Sequence, residues 1–193
     1  MEAKDYVELA SKHAQDGRVE EALSLLQEAV ERFPDVWQLW AMTGQILLET
    51  GQPEKAIDPL ERARDLAPEV FLPHFLLGSA LGRAFALSEG IAELEIAESM
   101  RPNDAEVLRN LGWMRCMNND VERGRQTLMR ALQLEPDNPF IYNDLAASYL
   151  YTNDCDVEKA QDYCLRALEI APSHPAILHT WHYIVESQGR EDE

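Results

Sequence analysis

The sequence has few positive charges for its size. It holds 17 lysine and arginine residues against 35 aspartate and glutamate residues, which gives a formal net charge of −18. A surface of this sign repels phosphate groups, so the composition argues against nucleic acids and anionic membranes as partners. The same charge favours a basic or apolar partner, although strong negative charge can also serve only solubility.

Cysteine and long apolar runs are also scarce. The three cysteines, Cys116, Cys155 and Cys164, are odd in number and show no CxxC spacing. This argues against a disulfide framework or a structural zinc site and indicates a reducing compartment. No stretch approaches the roughly 18 apolar residues of a membrane-spanning helix, and the N-terminal residues contain no apolar signal-peptide core. We therefore expect a cytoplasmic protein without membrane insertion.

Motifs of enzymes and of cofactor binding are absent as well. The sequence contains no phosphate-binding loop, dinucleotide fingerprint, HExxH or Gly-x-Ser-x-Gly motif. No nucleophile stands in an evident relation to a general base. An enzyme or enzyme subunit would need a converged polar site, which the sequence does not show. We predict that the chain is not an enzyme and uses no cofactor.

What the sequence does contain is a repeat of 34 residues. An alanine followed five residues later by a proline recurs at Ala29 and Pro34, Ala63 and Pro68, Ala97 and Pro102, Ala131 and Pro136, and Ala167 and Pro172. Consecutive pairs are 34 residues apart, except that the last step is 36. A second series in the same register places small residues at Ala10, Gly44, Gly78, Gly112 and Ala146. Such a period indicates an array of stacked structural units.

Each unit has room for two helices and a short turn. Apolar residues recur at helical spacing, as in Leu23, Leu26 and Val30. The small residues would let two helices approach closely, and the prolines end the second helix of each unit. Gly17 and Gly51 stand where the two helices of a hairpin would join.

These residues resemble the pattern of the tetratricopeptide repeat family. The second unit carries it at Trp40, Gly44, Leu47, Ala56, Leu60, Ala63 and Pro68, and the fifth at Tyr142, Leu145, Ala146, Tyr149, Ala160, Cys164, Ala167 and Pro172. The resemblance covers roughly residues 3–190 and implies an all-α, right-handed superhelical solenoid of five helical hairpins plus a C-terminal capping helix. The predicted single domain, 1–193, has repeats at about 3–36, 37–70, 71–104, 105–138 and 139–174, a capping helix at 175–188 and an acidic tail at 189–193.

Some positions depart from the family pattern. Gly90 and Gly124 replace an alanine of the second helix, which weakens helix propensity locally. The third unit has residues 84–87 in place of a glycine turn, so its hairpin geometry is left open. Pro59 lies inside a predicted helix and should kink it or shift its start. Two extra residues around 153–156 predict a longer turn in the fifth unit.

Three groups of residues admit a chemical and a structural interpretation. His174, His179 and His182 could bind a metal or be polar residues of the capping helix, which we favour because no further ligands complete the set. The segment with Asn153, Asp154, Asp156 and Glu158 faintly resembles a calcium loop, but turn and N-cap residues explain it better. Cys164 is expected in the core, whereas Cys116 is expected to be partly exposed and could be a reactive thiol.

In the capping helix, Leu178, Trp181 and Val185 share one predicted face. Because no partner helix follows, we expect this face to cover the last hairpin. Trp181 should bury its ring against the second helix of the fifth unit.

The resemblance implies a concave groove that is lined by the first helix of each hairpin. In units three to five, the lining positions give our candidate partner-binding residues: Leu72, Phe75, Leu76, Ser79, Arg109, Asn110, Trp113, Met117, Phe140, Asn143, Asp144, Leu150 and Tyr151. The alternative is that Phe75, Trp113 and Tyr151 pack between hairpins. Some family members grip a partner's C-terminal carboxylate, but only Asn110 matches their residues here, so we do not expect that mode.

The function that follows from this resemblance is a scaffold or adaptor for protein–protein interaction. It would bind an apolar or partly basic peptide or helix in the groove. The alternative is a chaperone that holds a client such as a secretion substrate, as small acidic tetratricopeptide chaperones do. Those chaperones have about three units, and five are predicted here, which counts against the alternative. The sequence leaves the oligomeric state open.

Overall fold

The computed structural model describes residues 1–151 and 155–189. These residues form eleven α-helices and no strand, which confirms the all-α class. None of their helices is both long and apolar enough to span a bilayer. The chain divides into two compact units, Met1–Met100 and Arg101–Glu193.

The first unit contains six helices: α1 (Ala3–Gln15), α2 (Val19–Arg32), α3 (Trp37–Glu49), α4 (Pro53–Leu66), α5 (Phe71–Arg83) and α6 (Leu87–Met100). Consecutive helices pack in pairs, and α4 also packs against α5. Fully buried apolar side chains on both helices of each pair form the core: Tyr6 and Leu26 in the first pair, Leu39 and Leu60 in the second, and Leu77 and Leu94 in the third. Helices α1, α3 and α5 begin at the first residues of the first three predicted repeats.

The described residues of the second unit form five helices: α7 (Ala105–Met117), α8 (Val121–Leu134), α9 (Pro139–Leu150), α10 (Val157–Ile170) and α11 (Pro175–Gly189). Helix α7 packs against α8 and α9 against α10, and α11 covers α9 and α10. The Asp104 side chain caps the start of α7 by accepting hydrogen bonds from the backbone N–H groups of Glu106 and Val107.

The capping helix uses a different face from the one predicted. Ile177 and Ile184 are fully buried and Thr180 is buried, whereas Val185 is 48% exposed. The expectation that Val185 belongs to the covered face is therefore wrong. Trp181 is half-buried and packs against the apolar cluster formed with α9 and α10. The buried stripe recurs at intervals of three and four residues, as in any amphipathic helix, but it lies one position away from the predicted one.

Four helix pairs close through the same tight turn. The second residue after the first helix of each pair has a left-handed backbone: Gly17 (φ 77°), Gly51 (φ 72°), Phe85 (φ 60°) and Asn119 (φ 68°). In each turn the left-handed residue and the one after it donate backbone hydrogen bonds to the end of the preceding helix, as Phe85 does to Gly82. The segment without glycine thus makes the same turn as the glycine segments, although its bulky residue disfavours this conformation.

The small residues of the repeat bring paired helices into close contact. A Cβ atom at Gly44 would overlap Leu60 of α4, and one at Gly78 would come within 2.7 Å of Leu94 Cγ. At Gly112 an added Cβ would lie 2.9 Å from the carbonyl oxygen of Gly124. Gly124 does more than weaken its helix, because its missing side chain leaves room for the backbone of α7.

Pro59 does not change the limits of its helix. Helix α4 begins at Pro53, a favourable first-turn position for proline, and continues through Pro59 to Leu66. Of the two expected effects of Pro59, a kink or a shifted start, the shifted start does not occur. Ala56, Leu60 and Ala63 are fully buried on one side of α4 and hold the helix in place on both sides of the proline.

Three of the prolines that follow the second helices have carbonyl oxygens within hydrogen-bonding distance of a side-chain nitrogen. The carbonyl oxygen of Pro34 accepts from Trp40 Nε1 at 2.9 Å, and that of Pro68 lies 2.8 Å from His74 Nε2. In the second unit, Pro102 accepts from Arg130 at 3.3 Å. Because a carbonyl oxygen only accepts, Nε2 of His74 carries a proton. Its other ring nitrogen lies 2.6 Å from Glu93, which also pairs with Arg64.

Candidate functional site

Nine of the candidate residues lie in the second unit, on α7, on α9 or directly after α9, and we call them the α7–α9 face. They are Arg109, Asn110, Trp113, Met117, Phe140, Asn143, Asp144, Leu150 and Tyr151. Helices α7 and α9 pack side by side, so the structure brings these two rows together. Most of the nine are half-buried, Tyr151 is 46% exposed, and Asp144 and Leu150 are buried.

An ion pair links the two helices of this face. Arg109 Nε donates to Asp144 Oδ2 at 2.6 Å, and the guanidinium lies 5.3 Å from the centre of the Phe140 ring. Desolvation raises the pKa of the Asp144 carboxyl, and the charge of Arg109 and its hydrogen bond oppose that effect. Asp144 therefore orients Arg109 against Phe140 and is not itself an exposed contact.

Two polar atoms near Phe140 stand out. Asn143 Oδ1 and His174 Nδ1 are buried and make no hydrogen bond with any described residue. The His174 ring meets Phe140 edge to face at 4.8 Å between centroids. A buried acceptor without a donor is unfavourable, so the half-buried Asn143 side chain would gain a hydrogen bond by turning toward an N–H group from outside the chain.

The exposed end of the face is aromatic. Tyr151 lies 5.2 Å from Tyr183 of α11, and Tyr183 is 43% exposed. Desolvation and the neighbouring Tyr183 raise the pKa of Tyr151. Sequence reasoning did not select Tyr183, because the family's lining positions lie on first helices and not on the capping helix.

The remaining candidates belong to α5 of the first unit. Leu72 is 38% exposed, and the half-buried Phe75 stacks on Phe71 at 5.6 Å. Ser79 donates its hydroxyl to the Phe75 carbonyl oxygen at 2.8 Å. Phe75 also packs against the apolar core of the first unit. This contact is the one expected if the ring packs between hairpins, which is the alternative interpretation given for Phe75.

Three candidates are too buried to contact a partner directly. Leu76, Asp144 and Leu150 are at most 8% exposed. Leu76 and Leu150 belong to apolar core clusters, and Asp144 is held by Arg109. The expectation that these side chains line an open groove is wrong, because at these positions the side chains pack against other parts of the chain.

The cysteines and the other polar candidates are structural where they are described. Cys116 is 3% exposed, so the expectation of a partly exposed thiol is wrong. Cys164 is fully buried as expected, and burial raises the pKa of its thiol to about 11. Asp156 is the N-cap of α10 and accepts from the Lys159 backbone N–H, which confirms its N-cap role, whereas Asn153 and Asp154 lie outside the described residues.

His179 and His182 are exposed on α11. The described part of the chain contains no group of three or more histidine, cysteine, aspartate or glutamate residues placed to hold a metal ion.

Comparison with known proteins shows that this fold is shared with solved tetratricopeptide repeat (TPR) proteins. Residues 7–70 match a tetratricopeptide repeat family model. MamA from Desulfovibrio magneticus RS-1 is 21% identical, with a TM-score of 0.76 over 90% of this chain and 97% of MamA. TTC0263, a thermophilic TPR protein of Thermus thermophilus, is 20% identical, with a TM-score of 0.74 over 95% and 99% of the chains. YrrB, a TPR protein described as having an unusual peptide-binding site, is 19% identical, with a TM-score of 0.73 over 94% and 92%.

One curated human protein is also similar. The protein O-mannosyl-transferase TMTC1 is 24% identical in an alignment 179 residues long, and the alignment covers 72% of this chain and 20% of TMTC1. The chain thus spans about a fifth of the length of this relative.

Proposed function

Because the chain is a tetratricopeptide repeat protein, we propose that it is a protein–protein interaction scaffold whose α7–α9 face binds an apolar, partly basic peptide or helix. The observation that carries the proposal is Asn143, a half-buried residue three positions after Phe140 on α9, whose covered Oδ1 has no donor among the described residues and gains one if the side chain turns outward. A peptide N–H group would satisfy it. The peptide-binding description of YrrB, which has the same fold, supports this direction.

Each side chain of the face has a distinct part in this proposal. Trp113 and Phe140 are half-buried and supply apolar area for an anchor residue of the partner. Arg109, held by Asp144, lies over the Phe140 ring and restricts its position. Tyr151 and Tyr183 extend the apolar surface at one end.

Charge adds a second preference. The net charge of −18 attracts a basic partner over a distance and speeds its approach at low salt. We expect association to slow as salt rises, because screening shortens the range of this attraction. An uncharged apolar peptide should show no such dependence.

The test uses a peptide that has been selected from a random library for binding to the intact chain. Trp113→Ala should weaken its binding by about 2 kcal/mol, as for a buried aromatic anchor, and should shift the melting temperature only slightly. Leu111→Ala is the matched control on the same helix. Leu111 is fully buried in the core, so its truncation should lower stability by about 2–5 kcal/mol.

Asn143→Leu separates backbone recognition from apolar contact. The substitution removes the unpaired acceptor, so binding should weaken while folding stability is unchanged or slightly increased. If Trp113→Ala melts like Leu111→Ala, Trp113 is part of the core. If both face variants bind normally, the partner uses another surface.

The chaperone that holds an unfolded client remains the alternative, and the same variants test it. A chaperone should bind many unrelated unfolded chains with similar affinity, whereas a scaffold should select related peptide sequences from the library. The mannosyl transfer in the name of TMTC1 belongs to a protein of which this chain matches about a fifth, and we do not extend it to this chain.

A further inference from the structure

The second unit has a pocket on the opposite helices of its hairpins. It is a cavity of about 470 Å³ between α8, the end of α9 and the start of α10. None of the nine residues of the α7–α9 face lines it. We call it the α8–α10 pocket.

The pocket is rich in cations although the chain is strongly acidic. Arg125 and Arg130 of α8 and Lys159 of α10 line it, against the two carboxylates of Glu122 and Asp156. Arg130 and Lys159 are exposed, so a ligand in the pocket can reach both charged groups. This local excess of positive charge contrasts with the overall charge of −18.

One cation of the pocket is held rigidly. Arg125 donates to the hydroxyl of Ser148 at 3.2 Å and to its carbonyl oxygen at 2.8 Å. Its guanidinium lies 3.6 Å from the centre of the Tyr149 ring, and Tyr149 stacks on Tyr163 at 5.8 Å. A guanidinium held in this way adds positive charge to the pocket at a fixed position, without itself being the group that contacts a ligand.

Lys159 completes the other wall. Its ammonium group lies 2.9 Å from Asp156 and 5.3 Å from the centre of the same Tyr149 ring. An ammonium group has three N–H donors, so the ion pair with Asp156 does not exhaust its hydrogen-bonding capacity. The side-chain amides of Gln126 and Gln133 and the thioether of Met129 line the rest of the cavity.

We propose that the α8–α10 pocket binds a side-chain carboxylate of an acidic partner segment, with Lys159 and Arg130 as the cations that contact it. The cationic lining fits a carboxylate, and the Tyr149 ring and Met129 fit the methylene stem of a glutamate. The α8–α10 pocket shares no lining residue with the α7–α9 face. It binds a negatively charged ligand, whereas the α7–α9 face binds an apolar or basic one. It would let the chain hold an acidic and an apolar or basic segment at once.

The test is a fluorescence-anisotropy titration of the intact chain with a labelled, C-terminally amidated peptide of alternating glutamate and glycine. We expect binding at an ionic strength of about 0.15 M, where salt screens the long-range repulsion between the acidic peptide and the net charge of −18 but screens the short contacts inside the pocket much less. Lys159→Gln and Arg130→Gln should each weaken it about tenfold, which is the size expected when one charge-assisted hydrogen bond is lost. The same peptide with glutamine in place of glutamate should not bind.

Arg166→Gln is the matched control. Arg166 is exposed on the same helix as Lys159, pairs with Glu169 and does not line the pocket, so its loss changes the net charge equally. It should leave the affinity unchanged, and so should Trp113→Ala. Equal weakening by Arg166→Gln and Lys159→Gln would show a general charge effect and overturn the proposal.

Two further arms identify the anion. A neutral peptide with a free C-terminus should bind no better than its amidated form, since the proposal assigns the pocket to a side-chain carboxylate. A phosphoserine peptide should not exceed the glutamate peptide. Binding of the free C-terminus alone, or of the phosphopeptide alone, would contradict the carboxylate side chain as the ligand.

Discussion

The α3–α4 and α7–α8 hairpins share one register but differ in what limits the approach of their helices. At Gly44 the nearest obstacle to a side chain is Leu60, a side chain that can turn. At Gly112 the obstacles include the backbone carbonyl oxygen of Gly124 and the backbone nitrogen of Leu128, both at 2.9 Å. A side chain can adjust its rotamer, but a packed helix backbone moves only as a whole, so equal substitutions should have unequal costs.

The largest effect is expected for Gly112→Leu. A leucine at this position must displace the backbone of α8, so we expect a loss of about 3 kcal/mol or more in the free energy of unfolding. Because each repeat contacts only its neighbours, hydrogen exchange should accelerate mainly within the second unit. Uniform acceleration along the chain would contradict this localisation.

A smaller effect is expected for Gly124→Ala, which introduces the residue that the family pattern has at this position. An added Cβ would lie 2.7 Å from the Gly112 carbonyl oxygen and 2.7 Å from the Cys116 backbone nitrogen. The overpacking should outweigh the gain of up to about 1 kcal/mol in helix propensity, for a net loss of about 1–2 kcal/mol. Urea denaturation measures whether the free energy of unfolding falls or rises. A more stable variant would show that the gain in helix propensity exceeds the cost of overpacking.

Gly44→Ala should be milder still. The same chain already places Ala10 and Leu26 at the corresponding positions of α1 and α2, and both are fully buried there. We therefore expect a change below about 1 kcal/mol, because Leu60 can adjust and alanine favours the helix. If Gly44→Ala costs as much as Gly124→Ala in the same urea experiment, the distinction between side-chain and backbone obstacles fails.

The smallest effect concerns the turns that close the hairpins. Phe85 has φ of 60° and is 76% exposed, so its side chain gains little from packing in return for an unfavourable backbone conformation. Phe85→Gly should raise the free energy of unfolding by about 0.5 kcal/mol, since relief of strain exceeds the added freedom of the unfolded chain. Asn119→Gly serves as the control and should be nearly neutral, because asparagine tolerates this conformation. A thermal melt that ranks the two variants the other way would contradict the argument.

Much of the helix arrangement was predictable from the sequence, since it depends on spacing alone. The small residues and the prolines mark the close contacts and the ends of the helices, and both recur with one period. The turn at Phe85 was not predictable, because the same turn is made by glycine, asparagine and phenylalanine. Two backbone hydrogen bonds stabilise each of these turns, and no single residue type in the sequence predicts them.

The site was less predictable than the fold. Lining positions that were transferred from the family placed Arg109, Trp113 and Phe140 together, but they also included Asp144 and Leu150, which are buried. The unpaired oxygen of Asn143 depends on the absence of a donor among its described neighbours, a three-dimensional property without a sequence signal. The cationic pocket is lined by residues of α8 and α10 that lie about one repeat apart in the sequence. The strongly negative net charge gave no indication of such a pocket.

The carbonyl groups after the second helices show a wider consequence of repetition. Trp40 and His74 occupy the same repeat position and satisfy the same carbonyl through different rings, whereas Pro102 is served by an arginine from another helix. Selection on such a position acts on a chemical group and not on an amino acid: any residue that delivers an N–H to that point is equivalent. The amino acid at a repeat position can therefore differ completely between repeats although the same carbonyl oxygen must be hydrogen-bonded in each. By this rule, His74→Trp should keep the hydrogen bond to the Pro68 carbonyl and remove only the contact with Glu93, which keeps its ion pair with Arg64.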